Sequence, residues 1–423
     1  MKKLHLLTII LLLTIYRATS QIPKLNSDPT ATATIFLDFD GHMVDNTVWN
    51  YDGPIPCNPA GLTTAQVQDI FNRVAEDYRP FTLNITTDSV KFLAAPINQR
   101  IRVVLTTSSQ WYGNAGGVAF VGSFSWGDDT PCFIFTQLLG NNIKYISEAA
   151  AHEAGHTLGL YHQSTYDALC NKVSDYSYGT GSGEISWAPI MGVGYYRNVT
   201  IWHNGPNSYG CNNLQDDMAI ITRPSNGIQL RTDDHGNTPA TSGAIQITNN
   251  QFSKDAVFNY TNDEDLFRVT LSAPGLLSVR SKPVNAGPLN TAANSDILTE
   301  LLNQSLNSLR SSNPADSLQA SIDTMLNAGT YYIRVKPVAN AYSGTYGMLG
   351  GYTVSGSFQQ ASVLPLRNLK LEGKITSGKH QLSWIVDADE AIEDILLEYS
   401  YNGYDFRSRS SLQGAIGKYD WIP

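Results

Sequence analysis

The sequence is short of positive charge, of cysteine and of long apolar runs, and each shortage removes a class of protein. Lysine and arginine number 28 against 37 aspartates and glutamates, a formal net charge of −9 over 423 residues. A nucleic-acid binder, or a protein held on an anionic membrane, needs the opposite balance. Only one run is long and apolar, Leu4 to Tyr16. It follows Met1-Lys2-Lys3 and precedes Ala18-Thr19-Ser20, the pattern of a secretory signal over residues 1–20 cut after Ser20. The run is too short for a membrane anchor, and no stop-transfer pattern follows it. The signal carries Lys2, Lys3 and Arg17 and no acid, so the exported remainder is more acidic still.

The four cysteines are Cys57, Cys132, Cys170 and Cys211, and none has metal-site spacing. Export permits disulfides and leaves three connectivities open. Cys170 with Cys211 is the pairing expected, with free buried thiols as the alternative. No cysteine lies between Gln21 and the first strand, which counts against a cysteine-switch leader. No internal repeat stands out, and the length calls for two or three domains.

Against these shortages stands one dense stretch, His152-Glu153-Ala154-Gly155-His156-Thr157-Leu158-Gly159-Leu160-Tyr161-His162. With Ser147 as N-cap, residues 148–158 make an Ala-rich helix. His152 and His156 then lie one turn apart on one face, close enough to share a metal ion. Glu153 is placed to act on a metal-bound water rather than to ligate. Gly159 accepts the left-handed conformation that ends a helix, so that the chain turns and His162 returns as a third nitrogen ligand. A bare His-Glu-x-x-His match is compatible with histidines at accidental spacing; the added glycine and third histidine count against that reading.

From 21 to 224 strand and helix patterns alternate, as in an α/β or α+β domain. Thr34 to Phe39 is a strand with Ile35, Leu37 and Phe39 on one face. Thr63 to Gln66 has capping-box spacing ahead of Val67, Ile70, Phe71, Val74 and Tyr78 at helical intervals. Strands are expected at Phe81 to Thr86, Ile101 to Thr106, Val118 to Phe124 and Cys132 to Thr136. A last helix is expected over Leu214 to Thr222, with Leu214, Met218 and Ile221 inward.

Residues 152–162 resemble the long zinc signature of the metzincin metallopeptidases, and the element order resembles their N-terminal subdomain. Ala188-Pro189-Ile190-Met191-Gly192 is similar to the methionine turn those enzymes carry beneath the metal. Wording such as Phe36-Leu37-Asp38-Phe39-Asp40-Gly41-His42 resembles secreted reprolysin-like peptidases of Bacteroidetes-type bacteria. The resemblance implies a five-stranded sheet over the active-site helix, with Zn²⁺ held by His152, His156 and His162 and with Glu153 as general base. Gln163 and Val193 depart from the residues that mark individual branches, so the branch stays open. Tyr195, Tyr196 and Trp202 suggest an aromatic lining for the substrate pocket, with packing as the alternative for the tyrosines. His42 and His203 lack a partner at ligand spacing and are read as structural or solvent-facing. Asp38 and Asp40 are read as loop hydrogen-bonding acids.

After Pro224 short alternating segments punctuated by turn residues indicate a β-sandwich: Ala244 to Ile247, Asp265 to Leu271, Leu276 to Arg280, Thr330 to Val338 and Tyr352 to Gly356. Residues 225–358 resemble the bacterial pre-peptidase C-terminal domain, through Asp265-Leu266-Phe267, the run from Gly329 to Val335, and Gly351-Tyr352-Thr353-Val354. Ile297 to Leu309 has helical propensity, but the resemblance calls for strands there, and paired strands are expected. The acidic loop Asp263-Glu264-Asp265 is a candidate for Ca²⁺, without EF-hand spacing. Residues 361–423 resemble part of a fibronectin-III domain, with Asn402-Gly403 as a hairpin turn. This segment is shorter than a whole domain of that kind, and either a truncated product or the absence of later strands and a sorting domain is expected.

The fold class expected is thus an α+β metzincin-like catalytic domain followed by all-β sandwich domains. The function expected is a secreted zinc endopeptidase acting as a monomer on protein or peptide substrates, with no nucleic-acid partner and no membrane span. The rival is a non-catalytic adhesion or glycan-binding protein acting through the C-terminal β domains.

Overall fold

The computed structural model describes residues 22–285, 291–361, 366–376, 379–388, 395–401, 406–412 and 416–421. The leader 1–20 and the turn Asn402-Gly403 lie outside them. Two compact units form: everything described up to Ser272 together with Leu276–Phe358, and Ala273–Gly275 with Gln359–Pro423.

The first unit opens with a five-stranded sheet in the order Leu83–Thr86, Ala33–Asp38, Arg100–Thr106, Cys132–Phe135, Gly117–Val118. The first four strands run parallel, and Gly117–Val118 closes the edge antiparallel to Cys132–Phe135. The sheet is buried on both faces, as a largely parallel sheet requires. Ile35, Leu37, Val103, Leu105, Cys132 and Ile134 share a core with the helices Thr64–Asp77 and Ile143–Thr157. Val104, Phe133 and Phe135 pack on the opposite face beneath the hairpin His42–Val44 and Ile55–Cys57, together with Trp49. The first helix carries the expected capping box, with Thr63 and Gln66 bonded reciprocally.

Four local expectations are corrected. Ser147 is not an N-cap: the histidine helix begins a turn earlier, capped by Asn142, while the Ser147 hydroxyl donates back to Ile143 O at 2.7 Å. Val118 to Phe124 leaves the sheet after Val118, because Gly122 turns left-handed and its N–H donates to His156 O at 2.9 Å. Leu214 is exposed in a short strand paired with Asn204–Pro206, and the helix covers only Asp217–Ile221. Phe81 is buried ahead of its strand, bridged to Leu230.

The described residues between Gly243 and Phe358 form a β-sandwich of five and four strands. One sheet runs Gly243–Ala244, Asp265–Leu271, Gly329–Pro337, Ile297–Leu302, Ser308–Ser312. The other runs Gln251–Phe258, Gly350–Gln360, Gly275–Pro283, Ala320–Leu326. Of Ala244 to Ile247 only Ala244 is in a strand, while Ile297 to Leu309 supplies two paired strands and the turn between them, as expected. Phe258, Phe267, Leu277, Ile333 and Tyr352 fill the space between the sheets. The sandwich is joined to the N-terminal part by buried polar contacts. Gly351 N donates to Glu76 Oε1 at 2.6 Å, and Asn294 Nδ2 donates to Asp77 Oδ1 at 3.2 Å.

In the second unit Leu366–Thr376, Lys379–Ala388 and Ile416–Trp421 form one sheet. Ile395–Tyr399 pairs antiparallel with Arg407–Leu412, and Trp384 and Val386 form a small core.

Candidate metal centre

The histidine helix presents His152 and Glu153 to a cleft below the edge strand, with His156 one turn further on, each of the three 7 to 8% exposed. Gly159 ends the helix at φ +110°, and Leu160 N reaches back to Gly155 O at 3.1 Å. The turn brings His162 back, with ring centroids 4.7 Å from His156 and 5.2 Å from His152. One ligand nitrogen from each of the three lies within 4.8 Å of the others.

Two of the rings are oriented by backbone carbonyls. His152 Nδ1–H donates to Ile190 O at 2.8 Å, and His156 Nδ1–H donates to Leu160 O at 2.7 Å. Each contact fixes the tautomer and leaves Nε2 with its lone pair, as at metal sites generally. Burial lowers the pKa of all three histidines, His156 to about 4, and the neighbouring imidazoles push His152 and His156 further the same way. Neutral imidazoles are the ligating form. The donor set, three nitrogens with two tautomers already selected, fits a zinc ion.

Burial pushes the Glu153 carboxyl up to about 8, and a cation beside it would favour the carboxylate again. The edge strand passes directly over this side chain: a Cβ on Gly117 would stand 2.7 Å from Glu153 Cγ. A backbone that close to Glu153 is open only to glycine.

The turn at Ile190–Gly192 packs against the histidine helix. Met191 is fully buried, and its Sδ would stand 2.6 Å from a Cβ on Gly155. The same turn supplies Ile190 O to His152, and Met191 O accepts from Gln163 N at 2.8 Å, which anchors the chain just after His162.

Around these residues opens a cleft of about 330 Å³, lined by Gly117, Glu148, His152, Glu153, Tyr176 and Tyr195 among others. Tyr195 is in the cleft and stacks on Tyr145, whereas Tyr196 is mostly exposed. Trp202 is not a lining residue: it is buried, with its indole N–H donating to Asp77 O at 2.8 Å. Tyr176, which no spacing rule singles out, places its ring 4.2 Å from that of His162 and 6.0 Å from that of His152.

The remaining sequence candidates lie elsewhere. His203 is half-buried with its ring against Trp187, and desolvation lowers it to about 4; His42 is half-buried in the hairpin. Asp38 is buried in an ion pair with Arg102. Cys170 and Cys211 form the expected disulfide behind the third histidine, while Cys57 and Cys132 are free and buried. Glu264 turns away from Asp263 and Asp265 and pairs with Lys336 at 3.0 Å.

No family model matches the chain, and no curated protein matches it. Among solved structures, the chain aligns with the pre-peptidase C-terminal domain of a collagenase from Bacillus anthracis at 13% identity and TM-score 0.20, over 29% of this chain and 100% of that one. PliG of Aeromonas hydrophila, a periplasmic inhibitor of g-type lysozyme, aligns at 14% identity and TM-score 0.22, over 28% and 96%. CBM35 of Abf62 from Cellvibrio japonicus aligns at 12% and TM-score 0.16, over 31% and 82%. At these scores the alignments assign no function. No described helix is long and apolar enough to cross a membrane.

Proposed function

We propose that the chain is a secreted zinc endopeptidase of the metzincin type. The observation that carries this reading is the convergence of three imidazoles, two held by backbone carbonyls, beside the buried carboxyl of Glu153. His152, His156 and His162 would hold a zinc ion, which would supply Lewis acidity for acidifying water and polarising a scissile carbonyl.

The chain's own residues do the rest. Glu153 takes the proton from the attacking water and delivers it to the leaving amine, roles its seclusion from bulk solvent suits. The edge strand Gly117–Val118 offers its free side to an extended peptide by main-chain pairing, which lays a substrate backbone across Glu153. Tyr176 stands beside the imidazoles as a phenolic donor for negative charge developing on the carbonyl oxygen.

Glu153→Gln should retain about one zinc per chain and abolish peptide hydrolysis, read by elemental analysis and by cleavage of a peptide library. Undiminished proteolysis in that variant would sink the assignment. A wild-type protein free of zinc that binds glycans tightly would instead support the adhesion reading.

A further inference from the structure

Away from the histidines, a second group of ligand-type side chains gathers where the N-terminal part passes into the sandwich. Asp263 and Asp265 bracket the start of the strand Asp265–Leu271, and both are fully buried. One oxygen of each is engaged: Asn259 N donates to Asp263 Oδ2 at 2.7 Å, and the Tyr352 hydroxyl donates to Asp265 Oδ2. The other oxygen of each, Oδ1, is buried with no partner among the described residues. Asp233 comes in from the connecting segment, and one oxygen of each of the three carboxylates lies within 4.8 Å of the others.

Unpaired carboxylate oxygens are not left inside a protein without an answering charge or proton. The cations beside this loop do not supply that charge, because Lys336 and Arg334 face Glu264 at 3.0 and 4.0 Å. An all-oxygen donor set of three acids selects a hard cation over zinc. Calcium suits it best, since its coordination is flexible and is completed by carbonyls and water.

We propose that Asp233, Asp263 and Asp265 hold a calcium ion that pins the connecting segment to the sandwich. Asp233 is separated in sequence from the two buried acids, so the ion cross-links the segment after Leu230 to the strand Asp265–Leu271. The site is independent of the zinc reading.

The test is calorimetric titration of the purified chain with CaCl₂ after chelation. One Ca²⁺ per chain is expected, with a dissociation constant of about 10⁻³ M or tighter, together with a rise in melting temperature. Asp265→Asn should weaken binding by about tenfold or more, as should Asp233→Ser. Asp233 is exposed and its replacement leaves the core untouched, so this variant decides the matter even where Asp265→Asn fails to fold. His162→Ala should bind calcium with wild-type affinity. The proposal is overturned by no binding at millimolar calcium, by unchanged affinity in Asp233→Ser, or by loss of binding in His162→Ala, which would place the ion at the histidines.

Discussion

Gly159 and Tyr176 show how single residues complete what the histidines begin. At φ +110° the Gly159 backbone is closed to side chains, and a Cβ there would also stand 2.6 Å from the Arg223 guanidinium. Gly159→Ala should therefore cost about 1–3 kcal/mol of stability, measured by denaturant titration. It should also weaken zinc binding, because the turn carries both the carbonyl that orients His156 and the chain leading to His162. Tyr176→Phe removes a hydroxyl and leaves the ring. A drop in kcat of about 10²-fold is expected with zinc content and KM little changed. An unchanged kcat would reduce Tyr176 to packing against His162. Nothing in the sequence marks Tyr176, since it lies outside the spaced motif and reaches the histidines only through the fold.

At the scale of elements, local signals were legible wherever the chain's own periodicity sets the geometry. The capping box at Thr63 and Gln66, the one-turn spacing of His152 and His156, and the break at Gly159 are all short-range relations, and the structure contains each of them. Val118 to Phe124 failed because alternation reports a preference for extended backbone and not a partner. After Val118 the chain has a helix end to satisfy rather than a strand. Leu214 failed for a different reason: its helical spacing to Met218 and Ile221 is real, but the helix starts only after the Asp216 cap, and Leu214 pairs with Pro206 instead. The loop after Ile201 makes a separate prediction. Burial lowers His203 to about 4, so between about pH 6.5 and 4 the unfolded chain binds a proton that the folded chain does not. Stability contributed there is present above about 6.5 and is lost as pH falls through that window. Measured by thermal melts, His203→Phe should lose less stability than wild type between pH 6.5 and 4; parallel pH profiles would remove His203 as the cause.

The whole first unit depends on a seam of buried polar groups between the helix Thr64–Asp77 and the sandwich. Glu76 is 1% exposed; it pairs with Arg79 and accepts from Gly351 N. Burial raises its carboxyl, and Arg79 opposes the shift. Glu76→Ala would leave Gly351 N–H without its acceptor and Arg79 without its partner, at a cost of about 3–5 kcal/mol. A lowered melting temperature for the whole unit is expected. Two separate melting steps in wild type would show instead that the seam does not couple the two parts.

The sequence by itself determined the chemistry on offer: three imidazoles, an adjacent acid, a helix-ending glycine and alternating strands after 224. Those relations span a few residues and follow from helical and strand geometry alone. Tertiary structure decided which distant groups attend them. It seated Met191 under Gly155, gave Ile190 O to His152, brought Tyr176 to His162, paired Cys170 with Cys211 while leaving Cys57 and Cys132 free, and gathered Asp233 with Asp263 and Asp265. Each of those contacts joins residues whose separation along the chain carries no geometric information until the sheet, the histidine helix and the sandwich are packed.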